Sequence, residues 1–469
     1  MSSRINVKFA PGEESHLDWG LVQDALGAFK LVAQTPPLRL FTVEVDEAEA
    51  EATLAYFQSL PCVVRASLDG VVEAEWVERY EVPLLPKVAE QWALQRMDVF
   101  PAHEYQKGDP SVVVAIVDTG LMEAHQEFTG RGIQGDSFDP VGSPWNTPHH
   151  YHGTACASCI SPSYEGAHIT AVAPNVTLFP VRASSGTASS FQISDLVTAI
   201  SIATGYGADI ISYSIGGSTE YVDLNEAFDD AIANGVLVVK SAGNNGEEGG
   251  APSTPVREDF IAVGSINAQD RVSTFSSYGP TVDIVAPGEE IMVAGFPDGS
   301  TETDLYSKVN GTSFSCPHVA AICALVKSEN PNLSNAEITD IVCSEVTPVS
   351  DPEFDTKFSK PGGIGCVNAL KAVLRARATL PGESVLAFIR FIGDNVTKGF
   401  RSLDPPVENR GYFETNIETP VDAEVGVYGD SELIELYQGE NFVYRGPSRA
   451  STKNVLCSNS AKVTPVKPA

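Results

Sequence analysis

Basic residues are scarce in this chain: 30 lysines and arginines stand against 61 aspartates and glutamates, a formal net charge of −31 at pH 7. Nucleic-acid binding needs clustered Lys and Arg to neutralise phosphates, so that class of function is excluded, and an anionic membrane would be repelled. The acidity reads as a solubility surface, with attraction of basic substrates as the sharper alternative. Long apolar runs are also absent. No stretch approaches the roughly 20 residues of a membrane-spanning helix, and residues 1–12 lack the apolar core of a signal peptide. The expectation is therefore no membrane span and a cytoplasmic location, with non-classical export as the alternative. The cysteines number only eight and form no paired CxxC motifs of the kind that hold zinc. Cys156-Ala-Ser-Cys159 stands alone at the start of a helix whose apolar character suits burial. Most of the cysteines read as reduced, buried thiols, which suits a cytoplasmic home, while their even count keeps disulfides open.

Core-forming material is plentiful. Of 469 residues, 43% are hydrophobic, enough for one large domain with one or two small ones. Residues 38–45 alternate like a strand, and 47–59 carry apolar spacing suited to a helix. Residues 62–68 and 71–76 read as two further strands around a turn at Asp69-Gly70. From residue 111 strands and helices alternate. Residues 112–117 form a continuous apolar run, as expected of a strand buried on both faces, and 175–181, 208–214 and 236–240 look similar. Helical patterns occupy 190–204 and 223–234, and a helix at 366–378 closes the region. This alternation implies an α/β fold, a parallel sheet covered by helices on both faces, in which ligands bind beyond the carboxyl ends of strands. Asp118 and Asn244 both follow apolar strands in that way. Beyond Pro381-Gly382, short alternating segments suggest a small β-rich domain. The expected division is 1–85, 86–378 and 379–469.

Three strings carry chemistry: Val-Asp118-Thr-Gly-Leu, His152-Gly-Thr and Gly-Thr-Ser313-Phe-Ser-Cys-Pro-His. They supply an acid, a base and a nucleophile in the order Asp, His, Ser. A serine hydroxyl is a poor nucleophile until a base takes its proton, so only the fold can unite residues so far apart in sequence. An apolar helix follows Ser313, and a helix N-terminus turns backbone N–H groups toward a reacting carbonyl. Pro317 is expected within its first turn, where a missing N–H costs little. His149 and His150 also precede the Gly-Thr pair, but His152 adjoins it and is the better base. A fourth string, Ser241-Ala-Gly-Asn244-Asn-Gly, lies between His and Ser.

With these four strings, residues 86–378 resemble the subtilisin-like serine proteases, or subtilases. The resemblance implies a serine endopeptidase acting through an acyl-enzyme on protein or peptide substrates. Ser313 would be the nucleophile, His152 the general base and then acid, and Asp118 the group that orients and stabilises the imidazole. Asn244 would donate its amide to the oxyanion beside the Ser313 N–H. Tyr213-Ser-Ile-Gly-Gly resembles the family's cleft strand, so Ser214, Ile215 and Gly216 would form one wall of the first specificity pocket, with residues 243–250 opposite. Substrate backbone would add to that strand edge. Glu247 and Glu248 read as solvated loop carboxylates rather than selectors of basic residues. The small α/β module ahead of the domain resembles the family's inhibitory prodomain, an intramolecular inhibitor. Residues 76–83 would then thread through the active site, with cleavage between residues 80 and 89.

Three departures stand out. Cys156 in His152-Gly-Thr-Ala-Cys156-Ala-Ser resembles the thiol-containing branch that includes proteinase K and kexin, and its sulfur would sit close to the catalytic pair. Phe314 follows the nucleophile where the family usually has Met, which removes an oxidation-sensitive thioether. The family's Asn-containing calcium loop looks truncated in Ser161-Pro-Ser-Tyr-Glu-Gly, so no calcium site is carried over and no metal ligand is assigned, although the resemblance leaves calcium open as a cofactor. The alternatives are a narrow processing protease, a transpeptidase using the same acyl-enzyme, and a catalytically idle binding protein, which would need a damaged triad. No family resemblance extends to the C-terminal segment.

Overall fold

Val113–Asp118 is a buried strand in the middle of the molecule, hydrogen-bonded in parallel to Ile210–Tyr213 on one side and Thr177–Arg182 on the other. The computed structural model describes residues 2–380 apart from 11–21, 23–24, 28, 75–77, 83–90, 139–143, 163–168, 185–189, 217–220, 249–256, 258, 297, 300, 304, 352 and 359–363, and beyond them the strands between 385 and 466. Among the described residues the central sheet has nine strands. From one edge they run Val346–Thr347, Cys366–Val367, Ile284–Pro287, Phe260–Ile266, Leu237–Ser241, Ile210–Tyr213, Val113–Asp118, Thr177–Arg182 and Asp136–Ser137. Every pair is parallel except the first.

The apolar run has a simple physical origin. Successive strand side chains point to opposite faces. Val114 and Ile116 enter a core shared with helices His152–Ile160 and Thr312–Glu329, while Ala115 and Val117 enter a second core under Ile193–Tyr206 and Val222–Ala233. Helices thus cover both faces of a mostly parallel sheet. The strand that ends in Asp118 lies between strands drawn from later in the chain on either side, which makes its carboxyl end a topological switch point and a natural crevice. No described helix is long and apolar enough to cross a membrane.

In the N-terminal region Ser2–Phe9 pairs antiparallel with both Leu40–Asp46 and Val63–Leu68, and Lys30–Thr35 completes a four-stranded sheet. Ile5, Val7 and Phe9 pack with Phe41, Val43 and Phe57, the last of these from helix Ala50–Ser59. The intervening Arg4, Asn6 and Lys8 face the other way, toward helices Ile193–Tyr206 and Val222–Ala233. Arg4 meets Asp195 at 2.6 Å, Arg65 meets Glu226 at 2.9 Å, and Arg65 and Lys8 also pair with Asp223 and Glu226 respectively. Three cations of the module therefore sit on three carboxylates of the catalytic region.

The turn at Asp69-Gly70 does not close a hairpin. Val63–Leu68 stays in the N-terminal sheet, whereas Val71–Ala74 leaves it and joins Ser190–Gln192 and Ile215–Gly216. The turn is bound to the helix beneath it instead. Asp69 Oδ1 accepts the Ser194 N–H at 2.9 Å, and the Gly70 carbonyl accepts that of Ile193 at 2.8 Å, capping a helix whose own N-cap residue, Gln192, makes no side-chain cap. A side chain at position 70 would collide with Tyr221, whose ring carbon lies 2.2 Å from the position of a Cβ.

This contact has a pH dependence of definite sign. The Ser194 hydroxyl has one hydrogen and lies 2.5 Å from Asp69 Oδ2, so Asp195, 1% exposed, is left with Arg4, and its Oδ2 has no partner among the described residues. Burial pushes the Asp195 carboxyl up to about 7, with the neighbouring Asp69 adding to the rise against the pull of Arg4. Burial also raises Asp69. A carboxyl raised on folding takes up a proton on folding. Its contribution is complete below the ordinary value of 3.8 and is lost as pH climbs to about 7. The linkage is up to roughly 4 kcal/mol. Glu226, pushed up by burial but held below its usual range by Arg65 and Lys8, weakens only in stronger acid. Hydrogen exchange at residues 65–74 and 193–197 of the full-length Ser313→Ala chain is expected to report looser docking at pH 7 than at pH 5. Asp195→Asn should flatten that dependence, and a flat profile in the parent would overturn it.

Beyond residue 380 the described residues form two four-stranded antiparallel sheets, ordered Thr397–Gly399, Val385–Phe391, Val421–Gly429, Lys453–Cys457 and Gly411–Glu414, Ser460–Val466, Leu433–Gln438, Asn441–Pro447.

Candidate active site

Asp118 closes the central strand, and the chain turns at once. Gly120 adopts φ +97°, a conformation that favours glycine, and a Cβ there would lie 2.6 Å from the Trp145 carbonyl. The first two strings interlock through this turn. The Thr119 hydroxyl accepts the Gly153 N–H at 2.9 Å and donates to the His150 carbonyl at 3.1 Å, and the Thr154 hydroxyl accepts the Met122 N–H at 2.9 Å. Gly153 must be small because a Cβ would sit 2.2 Å from the Gly120 carbonyl and 3.1 Å from Asp118 Oδ1. The small residues after Asp118 and His152 are what let the two backbones approach.

The two side chains meet as a result. His152 Nδ1 lies 2.9 Å from both Asp118 oxygens, and both residues are buried. Asp118 Oδ1 also accepts the Thr119 N–H at 2.6 Å. A carboxylate on Nδ1 fixes the hydrogen there and leaves Nε2 as the basic nitrogen. That Nε2 is buried and has no hydrogen-bond partner among the described residues. His150 is not a rival base, since its Nδ1 accepts the His152 N–H at 3.3 Å and its ring stacks on Tyr151. Phe314 borders the His152 ring at 5.7 Å between centroids.

Ser313 is the second residue of helix Thr312–Glu329, fully buried, with its hydroxyl donating to the Ser214 carbonyl at 3.3 Å. The Ser313 N–H lies in the first turn of this helix, where amides lack intrahelical acceptors. Thr312, which the sequence reading left without a role, orients Asn244. Asn244 Oδ1 accepts both the Thr312 N–H and its hydroxyl at 2.9 Å, so the amide NH2 must face away, and Nδ2 is buried without a partner among the described residues. A hydroxyl residue directly before the nucleophile was the available signal.

Pro317 does not lie in the first turn. The helix begins at Thr312, which puts Pro317 inside its body, where it withholds the N–H that the Ser313 carbonyl would otherwise accept. Cys156, one helical turn after His152, has its sulfur 3.8 Å from His152 Nδ1 and 3.5 Å from the Ser313 carbonyl. Burial, and then Asp118, raise its thiol well above the usual range, so it stays protonated. Ligand atoms of Asp118, His152 and Cys156 lie within 4.8 Å of one another, a set with the reach to grip a thiophilic ion. Cys62, Cys156, Cys159, Cys316, Cys323, Cys343 and Cys366 are not in disulfides, and five of these seven are buried.

The expected cleft strand, Ile215–Gly216, is filled along its edge by the chain's own Val71–Ala74, paired antiparallel with Ala74 opposite Ile215. The other flank is Ser190–Gln192, which the sequence pattern had assigned to the start of a helix that begins only at Ile193. Ser214 does not present its side chain to this cleft: it is 1% exposed, and its hydroxyl is engaged with the Ser313 carbonyl. Downstream, Glu78–Val82 pairs with Tyr306–Asn310, Glu78 lying opposite Asn310. Of the segment 76–83 expected to thread through the active site, 78–82 forms this strand, and 76, 77 and 83 lie outside the described residues. Glu247 and Glu248 are exposed. The shortened calcium loop falls mainly on 163–168, and 249–250 of the opposite wall are likewise outside the described residues.

Comparison with known proteins gives consistent matches. A family model described as the subtilase family matches residues 109–361. An alkaline protease of Alkalihalobacillus alcalophilus is 33% identical over 377 residues, covering 78% of this chain and 93% of that protein. Subtilisin Savinase of Lederbergia lenta is 33% identical over 279 residues, 59% of this chain and 96% of its own. Subtilisin DY of Bacillus licheniformis is 33% identical over 244 residues, 51% of this chain and 85% of its own.

Proposed function

Since the chain belongs to the subtilase family, we propose that Asp118, His152 and Ser313 are its catalytic triad and that Asn244 completes its oxyanion hole. The protein is a serine endopeptidase. The observation that supports the residue assignment best is Asp118 holding Nδ1 with both oxygens while Nε2 stands without a described partner. Ser313 Oγ attacks the scissile carbonyl as His152 Nε2 takes its proton. Asp118 stabilises the imidazolium across the 2.9 Å contacts. The oxyanion is met by the Ser313 N–H and Asn244 Nδ2, the latter contribution about 3 kcal/mol. The tetrahedral intermediate collapses as Nε2 returns the proton to the leaving amine, and water then releases the acyl group by the same steps. An idle binding role is not favoured, because the acid, base, nucleophile and oxyanion donor are all present.

The N-terminal module is proposed as an intramolecular inhibitor. The support is that Val71–Ala74 takes the strand edge where substrate backbone would add, as in peptide recognition by strand addition. The register argues against cleavage at 80–89. Ala74 is opposite Ile215, next to the Ser214 carbonyl that accepts the Ser313 hydroxyl, and Glu78 is opposite Asn310, just ahead of Ser313. We therefore propose cleavage between Ala74 and Glu78, the two described residues that bracket Ser313 in register. Mass spectrometry of active enzyme is expected to find an N-terminus between Glu75 and Glu78, with Ser313→Ala remaining full length. A fully active chain with an intact N-terminus, or one that starts within 80–89, would overturn this reading.

A further inference from the structure

We propose that Ser214 and Cys156 are positioning residues for the nucleophile, supplying the hydrogen-bond donors that Pro317 withholds from the Ser313 backbone carbonyl. In an α-helix each carbonyl accepts the N–H four residues on. For Ser313 that residue is Pro317, which has none. Ser313 is fully buried, so its carbonyl must find donors inside the protein. It finds the Ser214 hydroxyl at 2.8 Å and the Cys156 thiol at 3.5 Å, and a carbonyl oxygen has two lone pairs to receive them.

The two donors come from different elements. Ser214 follows the strand Ile210–Tyr213 and leads into the cleft strand. Cys156 lies on the helix that begins with His152. The Ser313 carbonyl thus ties the nucleophile to the base-bearing helix and to the cleft wall at one point. The tie to Ser214 is reciprocal, because the Ser313 hydroxyl donates to the Ser214 carbonyl at 3.3 Å while the Ser214 hydroxyl donates to the Ser313 carbonyl. The hydrogen on His152 Nδ1 is held by Asp118, so the Cys156 thiol has no acceptor there; its neighbours are the Ser313 carbonyl at 3.5 Å and the Ser214 hydroxyl, itself a donor to that carbonyl. Burial keeps that thiol protonated and therefore a donor. A regular helical bond would have anchored the carbonyl only to its own helix. The proline exchanges that bond for two that cross between elements and fix where the hydroxyl stands relative to His152.

The inference rests on Ser313 being the nucleophile. The test is steady-state kinetics, on a fluorogenic peptide, of the self-processed enzyme obtained from the full chain. Ser214→Ala should lower kcat by about 10–100-fold, the scale expected for a small misplacement of a reacting group, with KM changed less than about threefold. Ser214→Thr, which keeps the hydroxyl, should restore most of the loss. Cys156→Val should lower kcat by a smaller factor, and Cys156→Ser should recover it. In a Pro317→Ala background, which returns an N–H to the helix, Ser214→Ala should cost less than about threefold. Three results would overturn the proposal: Ser214→Thr as poor as Ser214→Ala, a loss confined to KM, or fully additive effects with Pro317→Ala. Should Pro317→Ala not fold, the Thr rescue and the kcat–KM split decide. Retention of activity by Ser313→Ala would instead overturn the nucleophile assignment beneath it.

Discussion

Replacing Ser313 with alanine is expected to lower kcat by about 10⁶-fold, to the level that substrate binding and the oxyanion hole sustain without a nucleophile. The loss should appear in kcat, because Oγ is the atom that forms the covalent bond, while the N-terminal module retained by this full-length variant should raise its apparent KM. The fold should survive. The substitution deletes one oxygen and one hydrogen bond of 3.3 Å, while the carbonyl keeps its bonds to Ser214 and Cys156, and helix Thr312–Glu329 keeps its buried face. Circular dichroism and thermal unfolding should match the parent, and labelling by a fluorophosphonate should vanish. A variant that is folded, unlabelled and still within about 100-fold of parental turnover would show that another group is the nucleophile.

Replacing Asp118 with asparagine is expected to lower kcat by about 10⁴-fold. Both carboxylate oxygens accept from Nδ1 at 2.9 Å, and Oδ1 also accepts the Thr119 N–H at 2.6 Å. The N–H of Thr119 will keep the carbonyl oxygen of an asparagine, which turns its NH2 toward the imidazole. Nδ1 must then become the acceptor, the hydrogen moves to Nε2, and Nε2 can no longer take the serine proton. The shape of the site is unchanged, so KM should move little and fluorophosphonate labelling should slow in step with kcat. A loss below about tenfold would mean that the tautomer of His152 is set by something other than Asp118.

The sequence by itself determined the elements whose causes are local. A run of apolar residues buried on both faces could only be the central strand, because alternate side chains had to satisfy two cores, and Val113–Asp118 does so. The glycines and hydroxyl residues around Asp118, His152 and Ser313 were legible as close-approach chemistry, since Gly120 needs its φ and Gly153 its missing Cβ wherever such backbones meet. What only the tertiary structure decided is the set of partners. That Thr119 receives Gly153, that Thr312 aims Asn244, and that Ser214 and Cys156 donate to the Ser313 carbonyl depends on atoms brought together from distant parts of the chain. No periodicity encodes such pairings. The same reason separates the strands around Asp69-Gly70. Locally they read as neighbours around a turn, but the helix N-terminus at Ile193 offers the turn better hydrogen-bond partners, and the open edge of Ile215–Gly216 offers the next strand a ladder. The chain therefore runs along Ile215–Gly216 instead of folding back on Val63–Leu68. Local pattern selects the element, but hydrogen-bond satisfaction between elements selects its neighbour, and only the folded arrangement of buried donors and acceptors contains that information.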